Sequence, residues 1–158
     1  WSLARPAGRE GAPRPAPEAG AARRRATRGG PPPRSEAGRI RASTLARTLR
    51  DAGITHVHTT DYRRTWETAR PLAEVQGVEM AVYDPSHLQA FAARLSRTPG
   101  RHLVVGHSDT TPALVEALGG EGGPAIQPLE YDRLYVVFPG VSGARTLLLR
   151  YGEPFPPE

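Results

Sequence analysis

The 158-residue chain contains no cysteine. Disulfides and thiolate metal sites are therefore excluded. Lysine is absent as well, so all 21 basic residues are arginine. No apolar run approaches the ~18 residues that a membrane-spanning helix needs. No basic stretch followed by an apolar one reads as a signal peptide. The chain opens on Trp1 and not on Met, so its start is expected upstream, and its compartment stays open. Arginine, alanine, glycine and proline all have GC-rich codons, which points to a GC-rich gene.

The formal net charge of +5 is not spread evenly. Residues 1–34 hold eight arginines against two acids, Glu10 and Glu18, and the remainder is slightly acidic. A folded nucleic-acid binder carries its basic stripe on ordered elements, often with stacking aromatics between. The body does neither. The same 34 residues include eight Ala, seven Pro and five Gly, with Trp1 and Leu3 as the only large apolar residues. Such a segment cannot bury enough apolar surface to offset backbone ordering of roughly 1–2 kcal/mol per residue. Residues 1–34 are expected to be a disordered tail, and the Arg23-Arg24-Arg25 cluster a solvated one.

Order is expected from Ser35. Ala42, Leu45, Ala46 and Leu49 recur at helical spacing, with Gly53 as the stop. Ile54 to Thr60 reads as a short strand. Arg64 to Gln76 reads as a helix stopped by Gly77, and Val78 to Tyr83 as another strand. Asp84-Pro85-Ser86 is a turn with Ser86 as the expected helix cap. Leu88, Phe91, Ala92 and Leu95 form a third helical stripe. His102-Leu103-Val104-Val105-Gly106-His107 is a short apolar run bounded by turn signals and reads as a buried parallel strand. A helix from Thr111 to Leu118 follows. Two strands, Arg133 to Phe138 and Arg145 to Arg150, then form a hairpin around a loop of several residues. The order predicts a three-layer α/β domain over residues 35–152, with a mainly parallel sheet, a C-terminal hairpin and a short tail at 153–158.

Ligands of open α/β sheets sit beyond the carboxyl ends of the strands. Two such ends are chemically loaded. One is Thr60-Asp61-Tyr62-Arg63-Arg64-Thr65 and the other is Gly106-His107-Ser108-Asp109-Thr110. Glycine before the histidine would let a ligand approach the backbone. The following helix start offers free N–H groups. An arginine facing it can grip a phosphate with two parallel hydrogen bonds. Arg64, His107 and helix amides thus predict an oxyanion pocket, with Ser108 and Arg63 as further substrate-binding candidates. His56 and His58 alternate on a strand and could face one side like metal ligands. No carboxylate or cysteine pattern completes such a set, so no metal is expected. His87 and His102 read as ordinary surface or strand-start residues.

The segment from Thr60 to Ala69 resembles the second signature of the histidine phosphatase (phosphoglycerate-mutase-like) superfamily: a Ser or Thr, an Arg at the next helix start, and a Thr four residues on. Val104-Val105-Gly106-His107-Ser108 resembles its third signature, and Ser35-Glu36-Ala37-Gly38-Arg39 its entry to the first helix. The resemblance covers about residues 35–150. It implies a phosphoglycerate-mutase-like fold and phosphohydrolysis of a phosphomonoester or phosphohistidine through a phosphohistidine intermediate, without a cofactor. The substrate would be a phosphorylated small molecule or a phosphoprotein. Arg64 would clamp the phosphoryl oxygens and His107 would stabilise charge in the transition state.

The chain departs from that family in one place. The nucleophilic histidine of its N-terminal Arg-His motif should precede Ser35, yet residues 1–34 contain no histidine. The chain as written is therefore expected to be inactive. An out-of-frame translation of the codons for the first strand would account for both the tail's composition and the abrupt onset of the resemblance. Two other readings stay open: a non-catalytic phosphate-binding relative, and a nucleic-acid binder acting through the Arg-rich tail. Asp109 lies close to the expected phosphate, where its charge is unhelpful unless it points away or donates a proton. Asp84 is the other acid considered.

Overall fold

A computed structural model describes residues 35–154. The expectations for residues 1–34 and for the last residues of the C-terminal tail lie outside the described residues. Four helices and five strands alternate: α1 (Glu36–Thr48), β1 (His56–Thr59), α2 (Arg63–Gln76), β2 (Met80–Val82), α3 (Leu88–Arg97), β3 (His102–Val105), α4 (Thr110–Ala117), β4 (Arg133–Gly140) and β5 (Gly143–Arg150). The local signals act as anticipated at several ends. Ser35 caps α1 by accepting from Gly38 N. Gly77 ends α2 in the left-handed conformation, φ 66°, which costs a glycine nothing.

Strands β2, β1 and β3 form a parallel sheet in that order. The β1–β3 register sets His56 beside His102 and Thr59 beside Val105. Because side chains alternate along a strand, Val57 and Leu103 turn to one face. There they pack with Ala46, Ala69, Leu72 and Ala73 of α1 and α2. Tyr83, Phe91, Ala92 and Leu114 build a second cluster with Val104 on the opposite face, under α3 and α4. Helices thus cover both faces of the sheet, as the mainly parallel three-layer reading requires.

The hairpin β4–β5 is a separate antiparallel sheet. Its loop is shorter than expected. Pro139 and Gly140 extend the ladder to Ala144 and Gly143, leaving only Val141-Ser142 to turn. Gly143 takes φ 125°, a conformation that lets the strands close so tightly. Ala144 N donates to the Gly119 carbonyl at the end of α4. Arg41 of α1 donates to the carbonyls of Tyr151 and Glu153. A buried network of Glu130 and Asp132 with Arg133 and Arg150 pins the preceding loop to the hairpin.

Ser86 is not the cap of α3. Its hydroxyl and amide both bond Asp84 in a local turn, and His87 occupies the cap position without a side-chain bond. His102 is more than a strand-start residue. Its ring stacks on His56, with centroids 4.4 Å apart, and it bonds His58 at 3.1 Å. The Thr98 carbonyl, 2.9 Å from His102 Nε2, can only accept, so that nitrogen carries a hydrogen. His102 Nδ1 then accepts from His58 Nε2, and the buried His58 Nδ1 is left with a bare lone pair and no partner. Among the described residues no cluster of histidines and carboxylates could hold a metal.

Burial, followed by the fields of His102, Arg94 and His56, lowers the His58 pKa from 6.5 to about 4. The unfolded chain protonates this ring first. The stabilising effect of a neutral His58 is whole above pH 6.5 and is lost as pH falls toward 4. His58→Leu is expected to remove an acid destabilisation on the order of 2–3 kcal/mol from that window. Urea melts at neutral pH and near pH 4.5, roughly the acid end of the window, check this. An unchanged difference between the two pH values would refute the assignment.

Candidate active site

The register that pairs Thr59 with Val105 brings the residues just past both strands side by side. Thr60 follows β1 and Gly106-His107 follows β3. Arg64 reaches the same point from the first turn of α2. Its Nη2 lies 2.9 Å from His107 Nδ1, and Thr60 Oγ1 lies 3.0 Å from His107 Nε2. Thr68 accounts for the fixed start of α2 on the other side, donating to the Arg64 carbonyl at 2.7 Å. The two loaded strand ends that sequence singled out therefore meet at one place beyond the sheet.

Tyr62 packs against both residues. Its ring meets His107 edge-on at 4.9 Å, and the Arg64 guanidinium sits 5.3 Å from the Tyr62 centroid. Sequence reasoning passed over Tyr62 because an exposed aromatic in a loop has no pattern of its own. Beside this cluster opens a groove of about 410 Å³, lined by Arg64, His107 and Ser108, by β3, and by Leu134 and Tyr131 across from it. Its size suits a small ligand. One edge of β3 bonds β1. Its other edge has no strand partner among the described residues, and the groove separates it from β4.

The structure treats the remaining candidates differently. Ser108 lies on the groove lining. Arg63 bonds Glu67 at 2.7 Å along the helix surface and does not line the groove. Asp109 caps α4, accepting from Thr110 N, and its charge still reaches His107. The helix amides expected to face an anion are already used: Thr111 N bonds the His107 carbonyl, and Thr110 N bonds Asp109. Asp84 lies with His87 in a different cavity, beside Phe91 and Arg94. Ser86, His87 and Asp84 have the composition of a nucleophilic triad. Both Ser86 and Asp84 meet the same His87 Nδ1, however, so the ring cannot pass a proton between them.

Gly106 serves a purpose other than the one its position implied. The Tyr83 hydroxyl and not a ligand occupies the space of its missing side chain. A Cβ there would stand 2.7 Å from Tyr83 Oη and 3.0 Å from Thr111 Oγ1. Burial pushes the Tyr83 phenol up to about 12, with a hydrogen bond to Thr110 opposing. Thr110 Oγ1 in turn accepts from His107 N at 3.1 Å. The backbone of His107 is thus braced from behind. Burial, then the neighbouring Arg64 charge, lower the His107 pKa, while Asp109 raises it. With the Arg64 guanidinium donating to its Nδ1, the ring is neutral.

The sequence profile of the histidine phosphatase superfamily (branch 1) matches residues 17–85. That span contains the Ser35 and Arg64 motifs and ends before Gly106-His107. Among curated proteins nothing matches. Among solved structures, a mycobacterial glucosyl-3-phosphoglycerate phosphatase in complex with VO3 superposes with a TM-score of 0.51 at 16% identity, over 72% of this chain and 84% of that one. A second, mycobacterial hydrolase 2, superposes with a TM-score of 0.52 at 14% identity, over 78% and 81%. The profile thus covers two of the three motifs, and the α/β fold is that of these two neighbours.

Gly106→Ala is expected to cost about 1–3 kcal/mol, since the new methyl must displace Tyr83 or the His107 turn. Tyr83→Phe in the same chain should relieve most of that loss, because the hydroxyl is the nearest clash. Thermal melts of the two variants decide the matter. Equal stability of Gly106→Ala and the parent would sink this reading of the turn.

Proposed function

We infer that this chain, related to the histidine phosphatases over residues 17–85, binds the phosphoryl group of a phosphomonoester or phosphohistidine between Arg64 and His107. The observation that carries the reading is the meeting of a guanidinium and an imidazole at 2.9 Å, at the mouth of a groove beyond the parallel strands. Arg64 would turn its planar donors to two phosphoryl oxygens. His107 would hold a third oxygen and the charge that builds on it in the transition state. Ser108 stands on the groove lining, where its hydroxyl can reach the same group. Arg63, paired with Glu67, takes no part in this arrangement. The neighbour solved with VO3 holds an oxyanion on the same fold, which agrees with an oxyanion here.

Full turnover needs a nucleophile, and the chain's five histidines offer one in the groove, His107 itself. His107 is spoken for by Arg64 and Thr60. Its described part therefore holds phosphate without a nucleophile to transfer it. In this respect it behaves as the non-catalytic phosphate-binding relative. The groove along the unbonded edge of β3 is where a further strand carrying a nucleophilic histidine would lie beside Arg64. Its addition would complete a phosphatase that forms a phosphohistidine and then hydrolyses it.

Titration with orthovanadate or inorganic phosphate should show saturable binding to the full chain. Arg64→Ala and His107→Ala are each expected to weaken it roughly 10- to 100-fold, the loss of one charge-assisted hydrogen-bonding partner. A version extended by an apolar strand ending in Arg-His should release phosphate from p-nitrophenyl phosphate and trap labelled phosphohistidine. Arg64→Ala or His107→Ala should then cut its rate by ~100-fold or more. Binding that survives both substitutions would place the oxyanion elsewhere.

A further inference from the structure

The hydrogen bonds around His107 admit one arrangement of protons. A guanidinium carries only donors, so the 2.9 Å contact with Arg64 makes His107 Nδ1 the acceptor. The neutral ring then bears its single hydrogen on Nε2, 3.0 Å from Thr60 Oγ1. Thr60 accepts that hydrogen and donates its own to Thr65 Oγ1 at 2.8 Å. Thr65 donates onward to the Tyr62 carbonyl at 2.8 Å, with the Thr60 carbonyl at 3.2 Å as second acceptor. The relay starts on a group that cannot accept and ends on carbonyls that cannot donate, so its direction is set. Thr60 and Thr65 are both buried, at 0% and 3% exposure, which keeps water from replacing either hydroxyl.

We propose that Thr60 and Thr65 are positioning residues that lock the His107 hydrogen on Nε2, so that His107 can hold a phosphate-class anion only after Nδ1 has taken up a proton. The deepening rests on the reading of this groove as an oxyanion site. Nδ1 is on the exposed side of the ring, where Arg64 now stands, while Nε2 is closed off by Thr60. At rest Arg64 covers the atom that must face the anion. On binding, Arg64 turns its N–H groups to the anion's oxygens. A proton from solvent joins Nδ1, which then donates to the anion, and Nε2–H stays on Thr60. One proton enters per anion, and no covalent bond other than the new N–H forms or breaks.

The groups around the ring set the sign. Arg64 on α2 opposes protonation, and Asp109 in the turn before α4 favours it. The Tyr62 ring edge and the un-ionised Tyr83 phenol carry no charge. Across the groove stand Arg41 of α1, Glu130 and Arg133. Arg41 is held by the Tyr151 and Glu153 carbonyls, and Arg133 by Glu130. A dianion seated between Arg64 and His107 outweighs the Arg64 field and favours the imidazolium. Anion affinity therefore rises as pH falls from neutrality and levels off once free His107 is itself protonated.

Nitrogen-15 imidazole NMR of the full chain tests this, with sulfate as the probe because it stays a dianion throughout the histidine range. Free His107 should show a bare Nδ1 and a protonated Nε2, and with sulfate both nitrogens should be protonated. Calorimetry in two buffers of different ionisation heat should report uptake approaching one proton per sulfate. Thr60→Val and Thr65→Val should each give mixed tautomers and roughly tenfold weaker sulfate binding, the share of one hydrogen bond. Thr60→Ser should keep both properties. A hydrogen on Nδ1 in the free protein, or an unchanged tautomer in Thr60→Val, overturns the lock. Sulfate binding without proton uptake overturns the coupling and leaves the oxyanion site standing. No sulfate binding with the Nε2 tautomer intact overturns the coupling and the oxyanion reading together.

Discussion

Everything chemical in this protein depends on the register between two four-residue strands. β1 and β3 run parallel with Thr59 beside Val105. Parallel strands end at the same level, so the residues that follow them, Thr60 and Gly106-His107, leave the sheet together. A slip of one residue would turn His107 to the other face. Packing on both sides guards against that slip. Val57 and Leu103 are buried against α1 and α2, while the opposite face rests on Phe91 and Tyr83 under α3. The phenol of Tyr83 extends this packing to the site itself, filling the space beside Gly106 and bracing Thr110 and the His107 amide.

The two groups of histidines show how environment divides one side chain into two roles. His56, His58 and His102 stack beneath α3, their hydrogens directed to a threonine, to each other and to a carbonyl. Protonation there meets burial and a nearby Arg94, and nothing stands ready to accept a hydrogen from His58 Nδ1. Of these rings His58 is buried, and His56 and His102 are half-buried. His107 has the same ring at the end of the sheet. One nitrogen is sealed by buried hydroxyls and the other faces an arginine and an open groove. The second setting lets charge change with a ligand, because the partner of Nδ1 can be exchanged for an anion.

The hairpin shapes the groove without joining the parallel sheet. It is tied to the end of α4 through Gly119 and Ala144, and to α1 through Arg41. The Glu130 carboxylate holds the loop before β4 by bonds to Arg133 and Arg150, which depress its pKa to about 2. Before that loop rises Leu129, at φ 70°, an unusual conformation for a branched side chain. Between this wall and β3 lies the space that a ligand, or one more strand, would fill.

Several features were legible from residue order alone. Apolar spacing marked α1 and α3, a short apolar run marked β3, and Ser35 and Gly77 marked helix ends, because each signal acts within a few residues of itself. The pairing of the Arg64 and His107 segments followed from their places at strand ends. Tertiary contacts decided the rest. Ser86 lost the cap of α3 because Asp84 competed for its hydroxyl. Gly106 made room for Tyr83, 23 residues back in the chain, and no local pattern could announce that. Thr60 had a place in a motif and Thr65 none, but neither had a role until β3 placed a histidine nitrogen 3.0 Å from Thr60. Propensity and periodicity are local and can be read from sequence. A hydrogen's position depends on which distant donor and acceptor come within 3 Å, roughly hydrogen-bond reach, and only the folded chain determines that.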